Sequence, residues 1–375
     1  MAKTGSGWVV GRAAGVPVVL SPGWLLAAVL LTVLFYPTAR VLAAADGDRS
    51  TSGAALLSLA VVLMLFASTF LHELAHAVVA RRHGMQVRQI VLTLLGGHTE
   101  FAERAPRPGA SALVAIAGPA ANLVIGLGAY LVWKAVEVPG GGSALLLAAA
   151  VTNGFVGAFN LLPGLPLDGG RVLESIVWTA TGRRSTGTTV AAWAGHGVAL
   201  AVVAWVLLPA LLSGTTPGLT QVGWGALIAA FLWSGASQSR QAARNDRAVD
   251  GLAVRALAVP AVALPVTAPV VAADRLGDPA PQIVLLAADG APVGYVDPEA
   301  LAAVPPERRQ TVTLAAVGVP LPPGAMVDVA LTGHSALAAV AEVSRTTPVM
   351  AVVANGRVVG LLRAADVARA MRAGT

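Results

Sequence analysis

The chain has 375 residues, of which 56% are hydrophobic and 12% charged, and it contains no cysteine. This balance departs from that of a soluble globular protein and indicates a membrane protein with several spans. The lack of cysteine excludes disulfides, thiolate metal sites and cysteine nucleophiles, so histidines and carboxylates must hold any metal. Residues 1–250 hold 16 Lys+Arg against 10 Asp+Glu, and residues 251–375 hold 9 of each. The net charge of +6 therefore lies in the apolar part, where it predicts membrane orientation, and we expect no nucleic acid partner.

Six apolar stretches precede residue 240, each long enough to cross about 30 Å of hydrocarbon. The first ends in Leu-Ala-Ala-Ala-Asp, which resembles a signal peptidase site, but its length favours an uncleaved span. Arginines concentrate in the loops of one side, which predicts that both termini are cytoplasmic. The predicted spans lie near residues 22–44, 54–80, 110–133, 143–162, 187–212 and 218–237.

The segment from Val87 to Phe101 lies between the second and third spans and is too short to cross as a helix. It is rich in β-formers and is interrupted by Gly96-Gly97, which favours a hairpin. A hairpin that dips into the membrane must be covered by protein or line a wet cavity, so we expect it beside a functional site. A hairpin on the membrane surface is the alternative.

After Arg247 the hydrophobic runs shorten to strand length, which indicates a soluble α/β unit of about 120 residues. We interpret Val259 to Pro269 and Val319 to Gly324 as connections, because proline and glycine break regular structure. The predicted organisation is a membrane domain at 1–250 and a cytoplasmic domain at 251–375.

The sequence His72-Glu73-Leu74-Ala75-His76 places two histidines four residues apart, on one face of a helix, where both imidazoles can bind one Zn²⁺. Glu73 is then positioned to take a proton from water during attack on an amide. In a soluble protein the pattern also occurs as a structural histidine pair. In an apolar span, however, ionisable groups cost several kcal/mol unless they have partners or a function.

A catalytic zinc needs a third protein ligand, and we assign Asp168, because prolines and glycines between Asn160 and Arg171 break the fourth span there. The alternative is a loop aspartate that caps the following helix. The competing ligands are His98, Glu100, Glu103 and Glu174. Three further histidines lack partners at ligand spacing and are interpreted as structural: His83, His196 and His334.

Together, the His72 to His76 motif, Gly118-Pro119-Ala120-Ala121-Asn122 and the segment Asn160 to Gly170 resemble the site-2 protease family over roughly residues 10–240. The resemblance implies one zinc per chain, with Asp168 as third ligand. It also implies that Asn122 and Asn160 contact the substrate. The implied activity is regulated intramembrane proteolysis in a bacterial cell membrane. There the enzyme would cut a single-span protein to release a transcription factor or remove an anti-sigma factor.

Residues from about 252 to 372 resemble a pair of CBS repeats. The second repeat has a predicted helix at Ala336 to Val343 and strands at Pro348 to Val353 and Val358 to Leu362, and Asp366 opens the last helix. The first repeat has the same order of strand, turn and strand, at Ile283 to Ala287, Asp289-Gly290 and Val293 to Val296.

CBS pairs often bind adenine nucleotides, and the resemblance assigns a ribose contact to Asp366. Two departures stand against nucleotide binding: Arg363 replaces the usual hydroxyl residue, and Ala300 stands where the first repeat would carry its own aspartate. The alternative role is structural or dimerising, which would make the chain a homodimer.

Two other classes of function compete with an enzyme. A transporter or channel with a CBS tail predicts no metal-ligand cluster, and the membrane part lacks a convincing inverted repeat. An inactive scaffold of the same fold is disfavoured by the intact Glu73.

Overall fold

The computed structural model describes residues 7–45, 50–93, 96–102, 105–136, 141–277 and 281–373. The chain divides into two compact units, Met1–Gln241 and Ala242–Thr375. In the first unit the helices are α1 (Pro22–Ala45), α2 (Thr51–Arg82), α3 (Pro108–Ala135), α4 (Gly141–Asn160), α5 (Asp168–Thr181), α6 (Arg184–Ser213) and α7 (Leu219–Asp250, which runs on past the boundary).

Six of the helices in the described residues are long and apolar enough to cross a membrane, and α5 is the short helix between the fourth and fifth of them. Their outward faces carry exposed leucines and valines, such as Leu26, Val29 and Val33 on α1. Exposed apolar side chains at this density are suited to lipid rather than water. The predicted multi-pass helical membrane protein is confirmed.

A small sheet packs beside α2 and contains four of the described strands: β1 (Trp8–Ala13), β2 (Val16–Leu20), β3 (Val87–Thr93) and β4 (Gly96–Phe101). The β3–β4 hairpin confirms the predicted one, whereas the β1–β2 hairpin was not predicted. Strand β2 runs parallel to β3 because α1 and α2 lie between them in the chain. Val16 and Ile90 bury their side chains against Ala77 of α2. The strand order is β1-β2-β3-β4, so β1 and β4 are the edge strands.

The second unit is an α/β domain, as predicted. Its elements are α8 (Val254–Leu257), β5 (Val259–Pro265), α9 (Val271–Asp274), β6 (Gln282–Leu286), β7 (Pro292–Val296), α10 (Pro298–Ala302), β8 (Gly318–Pro320), β9 (Met326–Asp328), α11 (Gly333–Val343), β10 (Val349–Ala354), β11 (Arg357–Arg363) and α12 (Ala364–Ala373). Its described strands form one sheet in the order β8-β7-β6-β5-β11-β10-β9.

The strand, turn, strand, helix order predicted for the second repeat is present as β10, β11 and α12. Asn355 and Gly356 connect the two strands with φ angles of 49° and 75°. Two residues with positive φ make a turn whose twist matches that of antiparallel strands, which is why Asn-Gly occurs at this point.

The interpretation of Val259 to Pro269 as a connection was wrong for its first part. Residues Val259–Pro265 form β5, a central strand that pairs in parallel with β6 and in antiparallel fashion with β11. The prolines are tolerated because Pro260 and Pro265 lie near the strand ends, where missing N–H donors interrupt the ladder least. Val319 and Pro320, also interpreted as a connection, belong to the edge strand β8.

Candidate metal centre

Helix α2 carries His72, Glu73 and His76 on a face that is turned into the protein, and their exposures are only 6%, 7% and 7%. The spacing of one and four residues produces this arrangement, because 3.6 residues per turn bring positions i and i+4 to the same side. Three ionisable side chains are therefore buried together within an apolar helix, which requires partners for each of them.

Asp168 comes from the break between α4 and α5, where it is the first residue of α5. The preceding loop is anchored to α6 by a hydrogen bond from the Leu165 amide to the Ala191 carbonyl, 3.0 Å. Gly164 faces Gly195 of α6 so closely that a Cβ on Gly164 would lie 2.6 Å from the Gly195 Cα. Two glycines thus allow the loop to press against α6 and direct Asp168 toward α2.

Three ligand atoms converge at this point. Asp168 Oδ2 lies 3.0 Å from His72 Nε2 and 3.2 Å from His76 Nε2, and the two imidazole nitrogens are 3.1 Å apart. A tetrahedral zinc with bonds of about 2.0–2.1 Å separates its ligand atoms by about 3.3 Å, so the three atoms already have the spacing of such a site.

The protonation of the two histidines also suits a cation. His76 Nδ1 lies 2.6 Å from the Val114 carbonyl, which can only accept, so this nitrogen carries a proton, and whenever the ring is neutral Nε2 presents a lone pair. His72 Nδ1 faces Asn122 Oδ1 at 3.1 Å. Two imidazole lone pairs and a carboxylate oxygen that face one point repel each other unless a positive charge lies between them. The residues therefore fit Zn²⁺, which prefers nitrogen and oxygen ligands of this kind.

Gly118 of α3 forms the floor of this ligand cluster. A Cβ at this position would lie 2.6 Å from His72 Nε2 and would also collide with His76 Nε2. Gly118 belongs to one of the motifs that carry the sequence resemblance. The structure indicates the reason for glycine here, namely room for the two imidazoles and what they bind.

Glu73 is oriented by the hairpin. Thr99 of β4 lies within hydrogen-bonding distance of both the Glu73 carboxylate, 2.8 Å to Oε2, and the Glu73 backbone oxygen, 3.1 Å. The hairpin was predicted to lie beside a functional site, yet Thr99 itself was missed, because nothing in the local sequence distinguishes it from a β-forming threonine. Its hydroxyl holds the Glu73 carboxylate beside β4.

A cavity of about 960 Å³ opens beside the ligand cluster. Its volume is at the upper end of what ligand sites occupy and leaves room for a peptide segment. It is bounded by α1, α2, α3, α4 and α7 together with β4 of the hairpin, and residues that line it include His98, Thr99, Asn160, Trp224, Leu227 and Phe231.

The two asparagines predicted to contact substrate lie in different places. Asn160 lines the cavity, and its amide nitrogen donates to the Val156 carbonyl at 3.1 Å. Asn122 is fully buried behind His72, where its amide is hydrogen-bonded to His72 and Ser68. This placement gives Asn122 a contact with the candidate ligand His72 and leaves substrate contact by Asn122 without structural support.

The competing ligands among the described residues lie outside the cluster. Glu174 is buried, but it pairs with Arg184 at 2.8 Å and accepts from Thr188 at 3.0 Å. Glu100 accepts from Gln89 and lies 3.4 Å from His98, which lines the cavity without reaching the ligand atoms. Glu103 lies outside the described residues.

The remaining predicted positions have local partners. His83 caps the end of α2, His196 is held between the Ala192 carbonyl and Ser237, and the exposed His334 lies 3.8 Å from Asp250. In the second unit, Asp366 lies in the first turn of α12 and pairs with Arg369 at 3.3 Å.

Comparison with known proteins decides the family. The model described as Peptidase family M50 matches residues 60–139 and 135–204. Rip3 of Mycobacterium tuberculosis is 32% identical over 273 residues, which are 71% of this chain and 68% of Rip3. The chain belongs to peptidase family M50, the site-2 proteases. The sll0528 protein of Synechocystis is 35% identical over 238 residues, and the match spans 63% of this M50 chain and 60% of that relative.

Two solved structures resemble parts of this M50 protein. The site-2 protease from Methanocaldococcus jannaschii is 26% identical, covers 62% of this chain and 95% of its own, and has a TM-score of 0.44. A CBS domain of a membrane protein from Sphaerobacter thermophilus is 18% identical, covers 36% of this chain and 96% of its own, and has a TM-score of 0.28.

Proposed function

We propose that the chain is a zinc-dependent endopeptidase that cuts single-span membrane proteins in or near their membrane segment. The observation that carries the proposal is the convergence of His72, His76 and Asp168 within about one zinc coordination sphere, with Glu73 buried beside them. His72 Nε2, His76 Nε2 and an Asp168 carboxylate oxygen would hold one zinc, and a fourth position would stay open for water. Membership of family M50 supports the same conclusion.

The chemistry divides between the metal and the protein. Zinc, when bound, supplies a Lewis acid that favours loss of a proton from water and polarises the scissile carbonyl. Glu73 accepts the proton that the attacking water loses and then donates it to the departing amide nitrogen, so that one peptide bond and one water become a carboxyl group and an amine. Thr99 keeps the Glu73 carboxylate in one orientation for both transfers.

A helical substrate cannot react intact, because its carbonyls are engaged in internal hydrogen bonds. We propose that the substrate unwinds in the cavity and pairs in extended form with β4, which is an edge strand of the sheet and lines the cavity. Backbone pairing at this edge would bring a scissile bond past Thr99, whose hydroxyl bonds Glu73. Release of a transcription factor or removal of an anti-sigma factor is the biological outcome expected from the family.

The orientation of the chain follows from its arginines. The helix ends on one side carry Arg81, Arg82, Arg183 and Arg184, whereas Arg40 and Lys134 lie on the opposite side. We propose that both termini and the second unit are cytoplasmic, in accordance with the positive-inside rule. Lys3, Arg49 and Arg104 lie outside the described residues.

For the second unit we propose a regulatory role that involves a nucleotide at Asp366 or pairing of two chains. Asp366 keeps 28% of its side chain exposed at the start of α12, which would let it contact a ribose hydroxyl. Calorimetry with ATP and AMP on the full chain and on Asp366→Ala, together with the mass of the detergent-solubilised protein, tests both roles. A wild type that binds neither nucleotide and remains monomeric would contradict them.

The proposed function is tested by metal removal. Purified full-length protein in detergent is expected to contain about one zinc per chain and to cut at least one member of a panel of single-span reporters. Treatment with a chelator should abolish cleavage, and stoichiometric zinc should restore it. Protein without bound metal, or cleavage that survives complete metal removal, would refute a zinc endopeptidase.

A further inference from the structure

A chain of buried polar side chains leads away from the ligand cluster behind His72. It consists of Asn122 on α3, Ser68 on α2 and Asn153 on α4, which are 0%, 4% and 0% exposed. Polar groups buried among apolar helices cost free energy unless they are hydrogen-bonded, and here each member bonds the next. Three helices thus contribute to one connected set, which we name the His72 relay.

The direction of every hydrogen bond in the His72 relay follows from its far end. Asn153 Nδ2 donates to the Ala149 carbonyl, 2.9 Å, because a carbonyl can only accept. Asn153 therefore presents its own Oδ1 to Ser68, whose hydroxyl donates to it at 2.5 Å. With its proton used in this way, Ser68 Oγ can only accept from its other neighbour, the Asn122 Nδ2 at 3.2 Å.

The same logic reaches the metal ligand. Once Asn122 Nδ2 is committed to Ser68, Asn122 Oδ1 faces His72 Nδ1 at 3.1 Å and must accept from it. His72 Nδ1 then carries the proton, and Nε2 presents its lone pair to the point where Asp168 and His76 converge. A single backbone carbonyl, that of Ala149, determines the tautomer of a histidine through three side chains.

The two histidines differ in this respect. His76 Nδ1 donates to the Val114 carbonyl, and a backbone carbonyl can only accept, so no other residue is needed to fix the direction of this hydrogen bond. His72 instead depends on a side-chain amide, which could rotate by half a turn and present a donor. An Asn122 amide in the wrong orientation would force the other tautomer on His72 and place a proton on Nε2, where a metal must bind.

We propose that Ser68 and Asn153 are positioning residues that hold the Asn122 amide in the orientation required for zinc binding by His72. The inference rests on the proposed zinc site and adds residues that touch neither metal nor substrate. Partners of this kind typically change metal affinity by about 10- to 100-fold when removed. A merely structural role would change stability without changing zinc affinity.

The test compares two serines of the same helix. Ser68→Ala removes the hydroxyl that orients Asn122, whereas Ser58→Ala removes an equally buried hydroxyl that donates to the Thr32 carbonyl at 2.6 Å, outside the relay. Zinc dissociation constants are measured on the full chain in detergent by competition with a chromophoric chelator. We expect a Kd about tenfold higher for Ser68→Ala and an unchanged Kd for Ser58→Ala.

A second variant covers the case in which Ser68→Ala fails to fold. Asn153→Leu removes the oxygen that accepts from the Ser68 hydroxyl and leaves Asn122 and His72 in place, so its Kd for zinc should also rise about tenfold. Equal affinity in wild type and in a folded Ser68→Ala or Asn153→Leu variant, or equal loss in both serine variants, would overturn the inference alone. A wild type that binds no zinc would overturn the proposed function and the inference with it.

Discussion

Replacement of Glu73 by glutamine is expected to abolish cleavage while the protein keeps its zinc. Glutamine has the same shape, and its carbonyl oxygen can still accept from Thr99, which lies 2.8 Å from the Glu73 carboxylate. Its amide, however, cannot take up a proton from water or return one to a leaving nitrogen. General acid–base catalysis contributes about 10²- to 10⁴-fold, so the turnover number should fall by at least about a hundredfold.

The measurement is the turnover number on a reporter that wild type cuts, with zinc content determined on the same samples. Glu174→Gln is the matched control, because Glu174 is also buried but pairs with Arg184 and Thr188, away from the ligand cluster. Zinc at wild-type level, cleavage lost in Glu73→Gln and cleavage kept in Glu174→Gln is the expected pattern. Cleavage by Glu73→Gln within about tenfold of wild type would exclude Glu73 as the base.

Replacement of Gly118 by alanine should have the second large effect, on zinc binding itself. The added methyl group would lie 2.6 Å from His72 Nε2 and would overlap His76 Nε2. Neither imidazole can retreat freely, because His72 Nδ1 is bonded to Asn122 and His76 Nδ1 to Val114. We expect zinc affinity to fall by at least about a hundredfold, which is the upper limit of the loss usually seen when residues around metal ligands are mutated.

Gly128→Ala is the control for this experiment. Gly128 lies on the same helix, and a Cβ there would meet no atom within 4 Å. Alanine in place of an unconstrained helical glycine should raise stability by about 0.5–1 kcal/mol and leave zinc affinity unchanged. Zinc titration by chelator competition and thermal unfolding of both variants provide the comparison. Normal zinc binding by Gly118→Ala would mean that the floor of the ligand cluster is not where the structure has it.

Much of the membrane unit could be predicted because its signals are local. Apolar length defines a span, since about 20 residues are needed to cross the hydrocarbon, and the hairpin was visible from β-forming residues around Gly96-Gly97. The β1–β2 hairpin was missed because it is stabilised by a strand that is distant in the sequence. Strand β2 pairs with β3, and two long helices separate these strands in the chain. The central strand β5 was misread because its prolines suggested a loop, whereas they lie near the ends of the strand, where they interrupt the ladder least.

The residues of the candidate site likewise fall into those that local spacing predicts and those that tertiary packing brings together. Helical periodicity alone brings His72, Glu73 and His76 to one face, so these residues could be named from their spacing. Asp168 could be proposed from the break in the fourth span, with support from the family resemblance, but its approach to α2 depends on a loop that packs against α6 through Gly164 and Gly195. No local pattern indicates that a loop some 90 residues away will meet a particular helix turn.

The sequence by itself determined the spans, the helix face that carries His72, Glu73 and His76, and the α/β unit that follows. Each of these depends on period, length or turn chemistry within a short stretch of chain. Only the tertiary structure showed that Asp168 lies 3.0 Å from His72, that Thr99 bonds Glu73, and that Asn122 bonds His72 rather than facing the cavity. The two residues in each of these contacts are separated by between 26 and 96 positions in the sequence. The contacts form only when the helices and strands pack together, and no single segment encodes that packing.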